Sequence, residues 1–406
     1  MATRSEVIYQ SIALYSSNVT GDSTEGVPSG EVTALQRVTD IDWGGEVARQ
    51  DINCMGKLAA TSREIIEEPT VNLSFSYYLA NAFNENAMGL AVTTEGGGDG
   101  YHSTDVNIIS GVLADAFGSS EKNYYILTVS QGEDADDVNL QTFSDATISG
   151  YGIIGIGNAF MSDYTVNLAV GDMPNASVTF DAANLTFSTL GSYVGPSYTG
   201  FQNPAIKRSE STDLSDLQFT GVVNLPTFIA QPEAGGSELS VAALRPGDIE
   251  VTFGLADMPA GGAILPGNTA GLADAKQSAH VQSVTIGVPL SRTPLTRLGN
   301  PFAFARKIDV PINTTLTVAA NIGDITTGSL VDLLCSDDLG RDVMITLGGK
   351  CGADDNMRYK VKGAQLDSQS MSVNIGDSET VDLTFTAQIG GYNDTAQGVF
   401  LSGDKQ

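Results

Sequence analysis

The chain has 406 residues, 41% of them hydrophobic, and 48 acidic against 20 basic side chains give it a formal net charge of −28. That length and apolar content suffice for two or three cores, while the charge opposes tight binding to nucleic acid, itself carrying about one negative charge per 1.7 Å of duplex. Three cysteines without CxxC spacing (Cys54, Cys335 and Cys351) suggest neither a disulfide framework nor a zinc site, and two histidines (His102 and His280) leave little material for a Ser-His-Asp triad or a His-metal centre.

The first segment, MATRSEVIYQSIALYSS, lacks the apolar run of an export signal. VTDIDWGGEVAR, residues 38 to 49, alternates Ile41 and Trp43 at the period of a strand with one buried face. RQDINCMGKLAATSR follows, residues 49 to 63, with Gly56 midway between Arg49 and Arg63. A short helix is expected over 80–90, an exposed glycine-rich loop over 93–105, and a second helix over 108–117 that leads through a polar turn into a strand. ISGYGIIGIGNAFM is the most apolar stretch, yet it is too short and glycine-rich to span a bilayer. Its GYGIIG, residues 150 to 155, satisfies G-x-G-x-x-G formally, but no convincing crossover helix follows, so a glycine-relieved strand or turn is expected instead of a dinucleotide site.

Residues 186–245 are rich in Gly, Pro and Ser and read as an extended connection, with a short strand expected within 217–230. Beyond it the first pattern returns. VQSVTIGVPLSR (281 to 292) and RTPLTRLGNPFAFAR (292 to 306) match the earlier segments at an offset of 243, placing Gly299 midway between Arg292 and Arg306. Residues 328–355 match 110–137 at an offset of 218, with a helix expected over 328–336, and 362–385 match 157–180 at 205. Three collinear matches indicate a tandem duplication. Because the offset falls from block to block, the first copy carries an insertion in each interval, the larger one between the first two blocks. The expected organisation is a first β unit over 1–185, the connection over 186–245, a second unit over 246–390 and a C-terminal tail over 391–406. The fold class is mainly β, with short helices at matching places.

No G-x-S-x-G, HExxH or P-loop occurs, and no carboxylate pair is singled out by spacing, so no catalytic residue and no cofactor is assigned. GEDADD (132 to 137), CSDDLGRD (335 to 342) and GADDN (352 to 356) lack EF-hand spacing and read as turns with capping aspartates instead of a metal site.

The strand-loop-strand unit from LQRVTDIDWGG through YYLANAFNENAMGL, its counterpart HVQSVTIGVPLSRTPLTRLGNPFAFARKIDVPINTTLTVAAN and the YTVNLAVGD and MSVNIGD strands together resemble the tail tube, or major tail, proteins of long-tailed bacteriophages. The resemblance spans about two-thirds of the chain and implies β-sandwich or half-barrel domains that assemble into stacked rings around an axial channel. A chain with two copies looks like the subset forming trimeric, pseudo-hexameric rings. It further implies a virion structural protein, not an enzyme, assembled in the host cytoplasm, with itself and other tail proteins at the tube ends as partners, no membrane, and DNA passing without specific binding. An acidic wall suits such passage, because each cationic contact to phosphate adds friction. The alternatives are a capsid or decoration protein, or an acidic secreted carbohydrate-active enzyme or adhesin. Within the tube reading, Arg49, Arg63, Arg292 and Arg306 are expected at assembly interfaces, meeting carboxylates of an adjacent domain or ring. Gly56 and Gly299 are expected to permit positive φ between them.

Overall fold

A strand that buries one face places apolar side chains at every second residue. The chain does so repeatedly. Val71, Leu73, Phe75 and Tyr77 are buried while Asn72, Ser74 and Ser76 point the other way, and the same alternation recurs at Ala176–Ala182 and Val381–Ala387. In the computed structural model the described residues are 12–18, 32–93, 107–110, 121–129, 135, 152–189, 197–206, 222–226, 249–253, 279–298, 302–303, 305–322, 341–348, 355–372, 380–391, 394 and 396–403.

The fold is mainly β and its ladders are antiparallel. In chain order the strands are β1 (Ile12–Asn18), β2 (Val32–Ala34), β3 (Val38–Glu46), β4 (Arg49–Ile52), β5 (Ser62–Ile65), β6 (Thr70–Tyr78), β7 (Lys122–Thr128), β8 (Gly152–Ala169), β9 (Asn175–Ala182), β10 (Asn184–Thr189), β11 (Ser197–Gln202), β12 (Val222–Pro226), β13 (Ile249–Phe253), β14 (Ala279–Pro289), β15 (Arg292–Leu295), β16 (Ala305–Ile308), β17 (Ile312–Ile322), β18 (Arg341–Gly348), β19 (Asp355–Ser372), β20 (Thr380–Ile389) and β21 (Gly398–Gly403). Helix α1 (Phe83–Ala87) lies within the segment expected to be helical.

One long sheet runs β3-β6-β9-β8-β14-β17-β20-β19. Strands β8 and β19 are long enough to belong to a second layer as well. The first half of β8 lies between β7 and β10, with β1 and β2 beyond β7. The first half of β19 lies between β18 and β21, with β13 beyond β18. Where each strand passes from one layer to the other its backbone turns left-handed, at Asn158 (φ 53°) in β8 and Gly363 (φ 72°) in β19, a region that residues other than Gly and Asn rarely enter. Asn158 is pinned there: its Oδ1 accepts from the Ile206 N–H at 2.7 Å and its Nδ2 donates to Glu121 Oε2 at 2.7 Å. The core between the layers joins both halves, with Tyr124, Phe75 and Phe180 in ring contact and Ile345, Tyr359 and Leu383 continuing it.

The ladders of the two halves share their registers. Ile41 pairs with Phe75 as Val284 pairs with Val318, both positions shifted by the offset of 243, and the irregularity between Val38 and Asp40 recurs between Val281 and Ser283. Tyr164 pairs with Val178 as Gln369 pairs with Leu383, at the offset of 205, and the bulge at Met161/Asp163 recurs at Leu366/Ser368. Arg49 opposes Ile65 as Arg292 opposes Ile308.

Three sequence expectations change. Tyr124 opposes Ile156 and Val343 opposes Val361, so β7 and β18 correspond at an offset of 219 and not 218; residues 122–127 are all buried, leaving no polar face to fix the register in the sequence. Residues 391–406, expected as a tail, contain β21, which is buried throughout against β19. Strand β10 crosses the expected boundary at 185, and the connection holds β11 and β12, paired with each other, β12 lying inside 217–230. The glycine motif lies in a strand over its residues 152–155, as expected. Close backbone approach explains the neighbouring glycine best: a Cβ on Gly157 would collide with the Pro204 carbonyl oxygen. Residues 94–106, 111–117 and 328–336, which carry the expected loop and most of two expected helices, lie outside the described residues.

Candidate functional site

The two arginine-glycine-arginine segments form hairpins, β4–β5 and β15–β16, that leave the long sheet after its corresponding strands β3 and β14. Gly56 adopts φ 85°, as expected of a residue at such a tip; Gly299 lies outside the described residues. Each hairpin carries an exposed apolar side chain at the matching position, Met55 and Leu298.

Their arginines meet different surroundings. Arg306 donates from Nη2 to Glu68 Oε1 at 2.8 Å, with the two side chains 10% and 13% exposed, and Glu68 Oε2 also accepts from the Ala303 N–H at 2.9 Å. The Arg292 guanidinium lies 4.9 Å from the centre of the Phe160 ring and that of Arg306 5.7 Å from it. Burial pushes the Arg292 guanidinium down to about 10, against the opposing pull of Glu121 and Asp181, with the nearby Arg306 adding to the depression. Arg306 thus meets a carboxylate from the other half of the same chain. Arg49 and Arg63 do not: Arg49 is exposed, and Arg63 reaches Asp51 of its own hairpin, at 2.5 Å, with the pair 66% and 48% exposed.

The long sheet has a second chemical peculiarity. Strands β3, β6, β8, β9, β14, β17 and β20 and residues 365–372 of β19 contain no lysine and no arginine, whereas Asp40, Asp42, Glu46, Asp163, Asp181, Asp367 and Asp382 lie on them. Because the apolar positions of these strands face the core, the opposite face is left to carboxylates, hydroxyls and amides. Asp42 stands opposite Ser74, Asp163 opposite Thr179, and Thr285 opposite Asn167 and Thr317. The result is a broad acidic face without a cation on its own strands.

Among the described residues β3 pairs only with β6, and residues 368–372 of β19 pair only with β20.

A polar cluster lies inside the molecule that no motif announces. Glu85 of α1 is fully buried; its Oε1 accepts from Tyr77 Oη at 2.7 Å and from Tyr164 Oη at 3.2 Å, and Tyr164 shares a 2.7 Å hydrogen bond with Tyr359 of the second half. Burial raises the Glu85 carboxyl to about 7, moderated by the Tyr77 and Tyr164 hydroxyls. The one available signal is a charge within a short, otherwise uncharged helical segment, ANAFNENAMGL. The cluster is sealed from solvent and binds the two halves together.

Among the described residues no group of three or more His, Cys, Asp or Glu is placed to hold a metal ion, and no helix is long and apolar enough to cross a membrane. Cys54 is a free, exposed thiol; Cys335, Cys351 and His102 lie outside the described residues. Compared with known proteins, the chain matches no protein-family profile and no curated protein.

Proposed function

We propose that the chain is a structural subunit of the tail tube of a long-tailed bacteriophage, a duplicated pair of half-barrel or sandwich units that act as neighbouring arcs of a trimeric, pseudo-hexameric ring. Rings stack into a channel for DNA, and the chain performs no chemistry. The observation that carries this reading is the continuous sheet whose strands, with β19 counted over residues 365–372, bear seven carboxylates and no lysine or arginine, Asp181 alone lying beside a cation of the seated hairpin, Arg292. Such a face repels phosphate along its length, so a duplex alongside it stays hydrated and mobile. Matching ladders at offsets of 243 and 205, bulges included, support the duplication. Fusing two units halves the number of chains needed to close a circle, and joining the sheets edge to edge removes open edges that would otherwise template aggregation.

Negative-stain electron microscopy of the purified full chain tests the reading. Rings or tubes with an axial hole are expected. A flat or icosahedral lattice would replace the tube with a capsid or decoration role, and a persistent monomer at high concentration would overturn assembly altogether.

A further inference from the structure

The chain contains one example of the contact it would need to make with a second copy. Inside the molecule β14 adds antiparallel to β8, joining the halves of the long sheet, with Thr285 opposite Asn167, Ile286 opposite Val166 and Val288 opposite Tyr164. Each strand has a counterpart, β3 corresponding to β14 at an offset of 243 and β19 to β8 at 205, and among the described residues the equivalent edges, residues 42–46 and 368–372, have no second partner strand.

We infer that the edge of β3 in one copy pairs antiparallel with residues 368–372 of β19 in a second copy, in the register that β14 uses on β8. Carrying the two offsets across places Asp42 opposite Ser372, Trp43 opposite Met371, Gly44 opposite Ser370, Gly45 opposite Gln369 and Glu46 opposite Ser368. The inference rests on the ring reading and gives it a residue-level seam.

Burial supports the choice of occupant. Ile286 and Val166, the central pair of the internal seam, are buried to 1% and 0%; their counterparts are the half-buried Trp43 and Met371 at 49% exposure. Leu290 is buried where its counterpart Val47 is 40% exposed. At Trp43, Met371 and Val47 the edges therefore carry apolar side chains where the internal seam covers its own, while Gly45 and Gln369 stand in place of Val288 and Tyr164. Charge selects the pairing. Two β3 edges meeting about a two-fold axis would bring Asp40, Asp42 and Glu46 of both copies together, and like charges across strands destabilise. Against β19, Asp42 and Glu46 face serines. The contact is heterologous, so it propagates from copy to copy until a ring closes.

Disulfide trapping tests the register, since paired antiparallel residues have Cα atoms about 4.5–5.5 Å apart, within reach of a disulfide. In the full chain with its three cysteines replaced by serine, Trp43→Cys protein is mixed with Met371→Cys protein and oxidised mildly, alongside Gly45→Cys with Gln369→Cys as a second in-register pair. A covalent dimer is expected in each mixture, at least tenfold above either protein alone and above the out-of-register mixture of Gly45→Cys with Met371→Cys. The unmutated chain supplies an independent readout, because Trp43 is its single tryptophan: its emission is expected to shift blue and to lose quencher access on assembly. Assembled particles with neither cross-link, with equal cross-linking of one variant to itself, or with unchanged tryptophan exposure would overturn the seam while leaving the ring reading standing. A chain that stays monomeric and uncross-linked would overturn both.

Discussion

The β15–β16 hairpin is seated and the β4–β5 hairpin is bare, although the two share register and the spacing of their arginines. The difference lies in what each one faces. Arg306 finds Glu68, and Arg292 the ring of Phe160; the residues that correspond to these at offsets of 243 and 205 are Pro311 and Gln365. One motif therefore has two fates, decided by residues far away in the sequence. The comparison also separates a permanent join, made within one polypeptide and backed by a part-buried ion pair and the Tyr164–Tyr359 hydrogen bond, from edges that have neither among the described residues.

The largest effect is expected from breaking the seated side. Arg306→Ala leaves Glu68 without its partner in a part-buried site, and because loss of one partner of a fully buried pair costs about 3–5 kcal/mol, urea denaturation of the variant should show a midpoint lowered by somewhat less than that. An unchanged midpoint would mean that the hairpin is not held by this pair.

Next comes the second tie across the join. The Glu85 carboxyl stands near 7 in the folded chain against an ordinary 4.5, so the folded state holds a proton that the unfolded state releases. Its stabilising contribution is fully present below pH 4.5 and is lost as pH rises to about 7. Glu85→Gln, which cannot ionise, is expected to gain about 3 kcal/mol over the unmutated chain at pH 8 and close to nothing at pH 4. Paired denaturation curves across that range check it; a difference independent of pH would refute the ionisation.

The smallest effect belongs to the bare hairpin. Arg63→Ala removes an exposed pair with Asp51 and should alter stability by about 0–1 kcal/mol. A loss comparable with that of Arg306→Ala would erase the contrast between the hairpins.

Much of the long sheet is legible in the sequence because one of its faces is polar. Ile41 and Trp43 against Asp40 and Asp42 announce both a strand and its orientation, and the ladder register follows the sequence offset. In β7 both faces are buried and that signal disappears, which is why it aligns with β18 one residue out when sequence alone is the guide. Strand β21 escapes for a related reason: Val399, Phe400 and Leu401 form a run too short to declare a period, and their partners Val361, Lys360 and Tyr359 precede the whole of β20. The arginine pair is visible and its spacing informative. Its seat is not, since Glu68 stands 238 residues from Arg306 and nothing local connects them. Glu85 looks like an ordinary polar residue on a short helix, and only the convergence of β6, β8 and β19 makes it a buried acid.

Away from Asp181, which lies beside Arg292, the sheet face draws its neutralising charge largely from dissolved salt. Mobile cations collect over Asp40, Asp42, Glu46, Asp163 and Asp382, in a layer whose thickness follows the Debye length, about 8 Å at physiological ionic strength and roughly 30 Å at 0.01 M. Wherever several such faces converge, their mutual repulsion is strongest in dilute buffer, and raising the salt concentration should hold them together when most charge-paired contacts would loosen.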